Sequence, residues 1–364
     1  MCTSIVNDAC DLIKYTKKRI AELLHDIYIF LLNDDSKCQT FSRDTNNVFI
    51  ITTPEYGNIG DHAIALAMID YTKKCFPNHN LCLVSDTTFD NSLKWISNNN
   101  KDTDLIFLIG GGNFGDLYLV AELRRRRIIK YCHNAKIVMF PQSNTWTDSL
   151  YGRLQLKHSI NIYGKSNNLH LIARDRNTYR FMKDNFSNNI SLLPDIVLTT
   201  SYEEKTERRK QILLCFRTDD EKSIDRLVED KIYNYLTHVD YSIIKTDTET
   251  YSTIERNNSK QTVRNTIKLF AESEFVITDR LHGAIFAYIT GTPCLVFDNR
   301  TKKISEFCHN WLAREHTICF DEATSVEKQI DMLLQMSTFI YRKDSFVRMF
   351  DEAMIELTNM FGEN

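Results

Sequence analysis

Short apolar runs alternate with stretches of helical periodicity along most of this chain, and the alternation sets the fold class. The runs fall at residues 48–52, 81–84, 105–109, 136–140, 169–173 and 196–198, then at 212–216, 241–244, 275–278, 294–297 and 317–320. Most are continuous rather than polar-alternating, as strands buried on both faces of a parallel sheet should be. Residues 223–236, 261–271 and 281–289 repeat apolar positions at helical spacing. The pattern predicts an α/β protein of two Rossmann-like domains facing a cleft.

The two ends depart from this rhythm. Residues 5–32 read as an amphipathic N-terminal helix, with Lys14, Lys17, Lys18 and Arg19 off the apolar stripe. Such a stripe suits packing on a domain or contact with a membrane surface; packing is the expectation, because most stripes face a protein core. The strongly charged stretch 202–210 reads as a linker or domain-crossing segment. The expected division is therefore 1–47 for the helix and a polar connector, 48–203 and 204–325 for the two α/β domains, and 326–364 for C-terminal helices packing back on the first.

Composition narrows the class. A chain of 364 residues is more than one compact core usually holds, which agrees with two domains. With 43% hydrophobic and 26% charged residues it is globular, and 45 basic against 48 acidic residues leave a net charge of −3, so no global field steers it to nucleic acid. Its ten cysteines are scattered without a CxxC pair and read as reduced, mostly buried thiols. Neither a signal-peptide pattern nor a bilayer-length apolar run is present, so the expected location is the cytoplasm, with peripheral association at the inner face of the membrane left open. The run Arg124-Arg125-Arg126-Arg127 is expected on a solvated helix face.

Chemistry is concentrated in four places. Glu55-Tyr56-Gly57-Asn58-Ile59-Gly60-Asp61-His62 joins a predicted strand to a helix; it is either a tight turn capped by Asp61 or an anion site of helix amides and close backbone. Gly110-Gly111-Gly112-Asn113-Phe114-Gly115-Asp116 also follows an apolar strand. Four glycines in six residues imply that something comes close to the backbone there. The spacing is neither that of a dinucleotide fingerprint nor that of a P-loop.

In Thr278-Asp279-Arg280-Leu281-His282-Gly283, Asp279 is the expected N-cap, which sets Arg280 and His282 in the first helical turn. Arginine there can grip a carboxylate or phosphate, and histidine can exchange a proton. Arg217 closes the first strand of the second series at the rim where α/β ligands bind, and Lys303, after Asp298-Asn299, is a weaker candidate for the same rim. Arg174-Asp175-Arg176 reads first as a helix start. No His/Asp/Glu cluster has metal-ligand spacing, so the expectation is metal: none, and no cofactor.

In order and spacing, GNIGD, GGGNFGDLY, the FPQS of Phe140 to Ser143, ARDRNTY from Ala173, PDIVL from Pro194, Arg217 and DRLHGAIFAYITGTPCLVFDN from Asp279 resemble the polysaccharide pyruvyl transferase family, in particular its bacterial exopolysaccharide-type members. The likeness covers most of residues 48–313. It implies a GT-B-like fold, phosphoenolpyruvate as co-substrate, and a saccharide acceptor, lipid-linked or free. It also implies donor-site roles for Arg217 and Arg280 and a catalytic role for His282, with Asn58, Gly60, Asp61, Gly111, Gly112, Asn113, Gly115 and Asp116 in loops of unassigned role. Asp61, Asp116 and Asp279 are candidate partners for the histidine. Two other readings compete: a nucleotide-sugar glycosyltransferase, which would place acidic ribose-binding residues at the second-domain rim, and a non-catalytic saccharide-binding protein of the same fold.

Overall fold

A computed structural model describes residues 2–32, 41–202, 206–219, 222–298 and 303–362. Residues 203–205 of the predicted linker, 33–40 of the polar connector, and Asn299 lie outside them. The chain divides into two compact units, residues Met1–Pro54, Met68–Leu193 and Ala353–Asn364 in the first, Glu55–Ala67 and Pro194–Glu352 in the second.

In chain order the first unit holds α1 (Cys2–Ile27), β1 (Asn47–Thr53), the C-terminal half of α2 (Ile59–Cys75), β2 (Asn80–Ser85), α3 (Phe89–Asn99), β3 (Leu105–Leu108), β4 (Gly111–Phe114), α4 (Leu119–Tyr131), β5 (Lys136–Asn144), α5 (Leu150–Tyr163), β6 (Leu169–Ala173), α6 (Arg176–Asn185) and β7 (Asn189–Leu192). Among the described residues its strands form one seven-stranded parallel sheet of order β2-β1-β3-β5-β6-β7, with β4 on β5. The central strands are covered on both faces: every residue of β3 and β6 is buried. Phe49, Ile106, Ile137 and Leu171 are fully buried in its core, and each such side chain contributes about 1.5–3 kcal/mol on leaving water.

The second unit carries β8 (Gln211–Cys215), α7 (Arg226–Leu236), β9 (Ser242–Thr246), α8 (Arg256–Glu272), β10 (Phe275–Thr278), α9 (Leu281–Ile289), β11 (Cys294–Val296), α10 (Lys303–Trp311), β12 (Thr317–Cys319) and α11 (Val326–Gln335). Its sheet is again parallel, in the order β12-β11-β10-β8-β9. The class read from the sequence holds: two Rossmann-like α/β units and a helical C-terminal tail. That tail is two helices. Residues 336–343 separate α11 from α12 (Asp344–Gly362), and residues of α12 from Ala353 on are grouped with the first unit. Cys132, Cys215 and Cys294 are buried free thiols, and burial pushes the Cys215 thiol up to about 12, which makes it inert.

Three local expectations are corrected. Residues 196–198 form no strand: Ile196–Thr199 is a single 3-10 turn, because the Asp195 carboxylate accepts the Val197 amide at 3.0 Å and competes with sheet pairing. The arginine run on α4 is not solvated. Arg125, Arg126 and Arg127 are buried, paired with Glu122 at 2.9 Å, with Gln155 and Ser159 at 2.8 Å, and with Asp26 at 2.8 Å respectively. Helices α3 and α5 cover this helix, so the guanidinium groups are matched to buried acceptors instead of water. Finally, the apolar stripe of α1 does not face the core; the polar side does, through Asp11, Glu22, His25 and Asp26.

Candidate active site

The strand order of the second sheet fixes where a site forms. Strand β8 is followed by β9 on one side, while its neighbour β10 leads to β11 on the other, so the loops after β8 and β10 diverge. In open parallel sheets that divergence at the carboxyl edge leaves a crevice for ligand. Arg217 lies just beyond β8, Asp279 and Arg280 directly follow β10, and Asp247 and Glu249 follow β9.

Arg280 sits at the N-cap of α9, with His282 in the first turn; Asp279 is not the cap expected of it. The Thr278 hydroxyl accepts the Arg280 amide at 3.0 Å and donates to the Cys215 carbonyl at 2.7 Å. Asp279, fully buried, instead accepts the Arg217 amide at 2.7 Å. Its other carboxylate oxygen has no hydrogen-bond partner. Burial pushes this carboxyl up to about 6, against the lowering effect of the Arg217 amide and of the Arg280 charge.

The two arginines are engaged by acids that the sequence reading did not single out. Arg280 donates through Nε and Nη2 to Asp247 at 2.7 and 2.8 Å, through Nη2 to Glu249 at 3.1 Å, and its Nη1 lies 2.9 Å from Asp219. Arg217 makes a fork on Asp219 at 2.8 and 3.1 Å. Burial alone would lower the Arg280 guanidinium, but the Asp247 hydrogen bond, with Asp219 and Glu249, raises it above its ordinary value. Glu249 is raised by burial and by Asp219 at its side, with Arg280 opposing. Acidic residues therefore do stand at the second-unit rim, where Arg-x-His alone was expected, and they are held by arginine.

The segment Glu55–Ala67 belongs to this unit and completes the site. Asn58 pairs with Glu249 as an isolated antiparallel bridge, the Ile59 amide donates to the Thr248 carbonyl at 2.8 Å, and the Thr250 amide donates to the Gly57 carbonyl at 2.8 Å. A Cβ on Gly57 would lie 1.9 Å from the Thr250 carbonyl oxygen, so only glycine permits the pairing. His62 is buried, 2.8 Å from the Ser259 hydroxyl and from the Tyr56 carbonyl; burial lowers its pKa. The Asn58 side chain accepts the Asp61 amide at 3.2 Å, and Asp61 accepts the Tyr56 hydroxyl at 2.8 Å.

The loop's contribution to chemistry is Gly60. A Cβ there would fall 2.1 Å from Nδ1 of His282, so only glycine lets the loop backbone lie against that edge of the ring. On the other side of the ring, Nε2 lies 3.6 Å from the Asp195 carboxylate and has no hydrogen bond of its own. Asp195, buried, is thus the acid beside the histidine, in place of Asp61, Asp116 or Asp279: Asp61 is turned to Tyr56, Asp279 to Arg217, and Asp116 lies in the first unit on the Thr147 amide and hydroxyl at 2.6 and 2.7 Å. Lys303 opens α10 after residues 299–302, which lie outside the described residues, and Asp298 accepts the Ile304 amide at 3.1 Å.

The glycine-rich motif belongs to the first unit and is braced from within it. Gln142 donates to the Ile109 carbonyl at 2.7 Å and accepts the Asn113 amide at 3.3 Å, while Arg125 donates to the Asn113 carbonyl at 3.1 and 3.2 Å. Gly111 and Gly115 take φ of 138° and 154°, a region that favours glycine. What comes close to Gly115 is the chain itself, the Thr145 carbonyl carbon at 2.4 Å from an added Cβ; Gly112 faces the Arg174 guanidinium at 3.3 Å.

The model of the polysaccharide pyruvyl transferase family matches residues 58–301. The chain belongs to this family. It is 32% identical to general stress protein 30 of Bacillus subtilis over 80% of this chain and 86% of that one. It is 29% identical to pyruvyl transferase 1 of Schizosaccharomyces pombe, over 79% and 75%. A solved structure of a functionally uncharacterized Klebsiella pneumoniae protein shares the fold, with a TM-score of 0.50 and 20% identity over 84% of this chain and 98% of that one. As a pyruvyl transferase the chain is a transferase enzyme, and the family region spans Asn58, Asp195, Arg217, Arg280 and His282. Lys303 and all of α1 fall outside it.

Asp195, Asp219, Asp247 and Glu249 were missed by sequence reasoning. A signal existed for the last three: each follows a parallel strand at its carboxyl end, the edge where ligands bind.

Proposed function

We propose that this pyruvyl transferase moves the pyruvyl group of phosphoenolpyruvate onto two hydroxyls of a saccharide, as a cyclic ketal with release of phosphate. The observation that carries the reading is His282, its Nε2 facing Asp195 and its Nδ1 edge packed on Gly60, in the unit that holds Arg217 and Arg280 at the sheet's switch point. Phosphoenolpyruvate presents a carboxylate and a phosphate, and forked guanidinium groups suit both. Its binding exchanges one set of anions for another: the donor takes N–H groups of Arg217 and Arg280 that Asp219 and Glu249 now accept. Glu249, already raised by burial, is the carboxylate that gives way at least cost.

Protonated His282 gives a proton to the donor's methylene carbon, and the adjacent carbon becomes oxocarbenium-like. A sugar hydroxyl attacks that carbon and returns its proton to the neutral imidazole. Phosphate then leaves with the bond electrons, a second hydroxyl closes the ring, and its proton departs with the phosphate. Asp195 at 3.6 Å is placed to stabilise the imidazolium, as an orienting carboxylate does in general acid–base catalysis.

Phosphate release and the ketal methyl resonance, followed for the purified protein with phosphoenolpyruvate and a panel of free and lipid-linked saccharides, test the reading. Phosphate should appear only with acceptor present, withstand chelation of divalent metals, and vanish in His282→Ala and His282→Gln. Release of a nucleoside diphosphate from nucleotide sugars, with phosphoenolpyruvate untouched, would replace it with a glycosyltransferase.

A further inference from the structure

Helix α1 is mounted inside out. Its polar side holds it to the first unit: Asp11 accepts the Tyr151 amide at 3.0 Å, His25 lies 2.8 Å from Asp90, and Asp26 accepts from Arg127 at 2.8 Å, Lys130 at 3.0 Å and Tyr131 at 2.6 Å. Glu22, buried, faces Arg126 at 3.6 Å. The apolar side faces out. Ile13, Ile20, Leu24, Ile27 and Leu31 are 47% to 75% exposed, and Leu12, Leu23 and Tyr28 beside them are about half exposed.

The steps of seven, four and three residues return Ile13, Ile20, Leu24 and Ile27 to one face of α1, a stripe roughly 21 Å long, and Leu31 continues it in the π-helical turn Tyr28–Leu32. A contiguous apolar stripe of that length left in water marks a surface that is covered by something else. Among the described residues no helix is long and apolar enough to cross a membrane. A helix lying in the plane of the interface is the geometry left for a lipid partner.

Charge identifies the partner. Lys14 and Lys17 are exposed on the helix, and a cavity of about 390 Å³ beside it is lined by Arg19, Lys130, His133 and Lys165. In all, five lysines and arginines, Arg19, Arg126, Arg127, Lys130 and Lys165, line it against two acids, Glu22 and Asp26, which pair with the first four and leave an excess of three positive charges. Burial first, then Arg126, Arg19 and Lys130, holds His158 down at about 3, a sign of the positive potential there. The chain as a whole is slightly acidic, so this face is locally basic. A second copy docked through a two-fold axis would bring two basic rims together.

We infer that the outward stripe of α1 with its basic rim is a docking surface for an anionic phospholipid membrane, into whose acyl boundary Ile13, Ile20, Leu24, Ile27 and Leu31 insert while the rim meets the headgroup phosphates. The inference does not depend on the identity of the pyruvyl donor, since α1 lies outside the family region and belongs to the first unit, whereas His282 belongs to the second.

The full chain is sedimented with vesicles of phosphatidylcholine alone and of phosphatidylcholine with about one-third phosphatidylglycerol. Binding is expected to the anionic vesicles, with little to the neutral ones. It should weaken roughly tenfold or more in the double variant Leu24→Glu and Ile27→Glu, and severalfold in Lys17→Glu with Lys165→Glu or at high salt. Melting temperature and turnover of a soluble acceptor should match the parent, because all four side chains are exposed and outside the catalytic site. Equal binding to neutral vesicles, no binding to either, or undiminished binding of the apolar variant overturns the proposal. So does a parent dimer that the same variant converts to monomer without any vesicle binding, which would assign the stripe to self-association.

Discussion

Replacing Gly60 by alanine should disable the enzyme while hardly disturbing its fold. The added Cβ would lie 2.1 Å from Nδ1, 2.4 Å from Cγ and 2.8 Å from Cε1 of His282. An unstrained contact is about 3.5 Å, so the ring or the loop must retreat by more than roughly 1 Å. Retreat is opposed on the loop side by the Ile59 to Thr248 and Thr250 to Gly57 hydrogen bonds, and the ring has the buried Asp195 at its other nitrogen. A displacement of about 1 Å costs on the order of 100-fold in rate, near 2.7 kcal/mol. For stability, overpacking costs about 1–3 kcal/mol. Gaining alanine in the first turn of α2 offsets up to about 1 kcal/mol, so the functional loss should dominate. Saturation kinetics of phosphate release measure the first effect and thermal melts the second. A stability cycle with His282→Ala isolates the clash, since shortening the ring should recover about 1 kcal/mol or more of the Gly60→Ala penalty. If Gly60→Ala keeps kcat/KM within about threefold of the parent, the position of His282 does not matter and its catalytic assignment fails.

Asp195→Asn keeps the 3-10 turn cap but removes the charge facing Nε2, so kcat should fall roughly 10- to 100-fold with a changed pH profile and an intact melt; an unchanged pH profile would reduce Asp195 to a cap. Arg280→Lys and Arg217→Lys should each weaken phosphoenolpyruvate use by about 1.5–3 kcal/mol without moving the sugar curve. A shift of the sugar curve alone would assign both arginines to the acceptor. Because the folded-state pKa of Asp279 is raised to about 6, the stability it contributes is present below its ordinary value near 4 and lost as pH rises through 6. Asp279→Asn should therefore gain stability over the parent between pH 4 and 7, by up to about 3 kcal/mol, and a constant difference across that range contradicts the buried-carboxyl reading.

What the sequence determined by itself is local. Apolar runs such as residues 169–173 and 275–278 suit the interior of a parallel sheet, and both strands end where the run ends. The motif residues Arg217, Arg280 and His282 were legible for the same reason, since strand ends in such sheets are where ligands bind. Tertiary structure decided everything that depends on which strands are neighbours. Adjacency of β8, β9 and β10 brings Arg280 onto Asp219 beside Arg217 and onto Asp247 and Glu249, although the paired Cys215 and Thr278 are 63 positions apart in the chain. Gly60 meets His282 across an even longer interval, and no periodicity encodes that contact. Asp195 reads only as the polar residue ahead of the apolar run 196–198 until its cap and its histidine are seen together. For α1, amphipathicity fixes that one face differs from the other, but which face turns inward depends on Arg126, Arg127 and Lys130 waiting on α4, and their salt bridges outweigh the usual preference for an apolar interior.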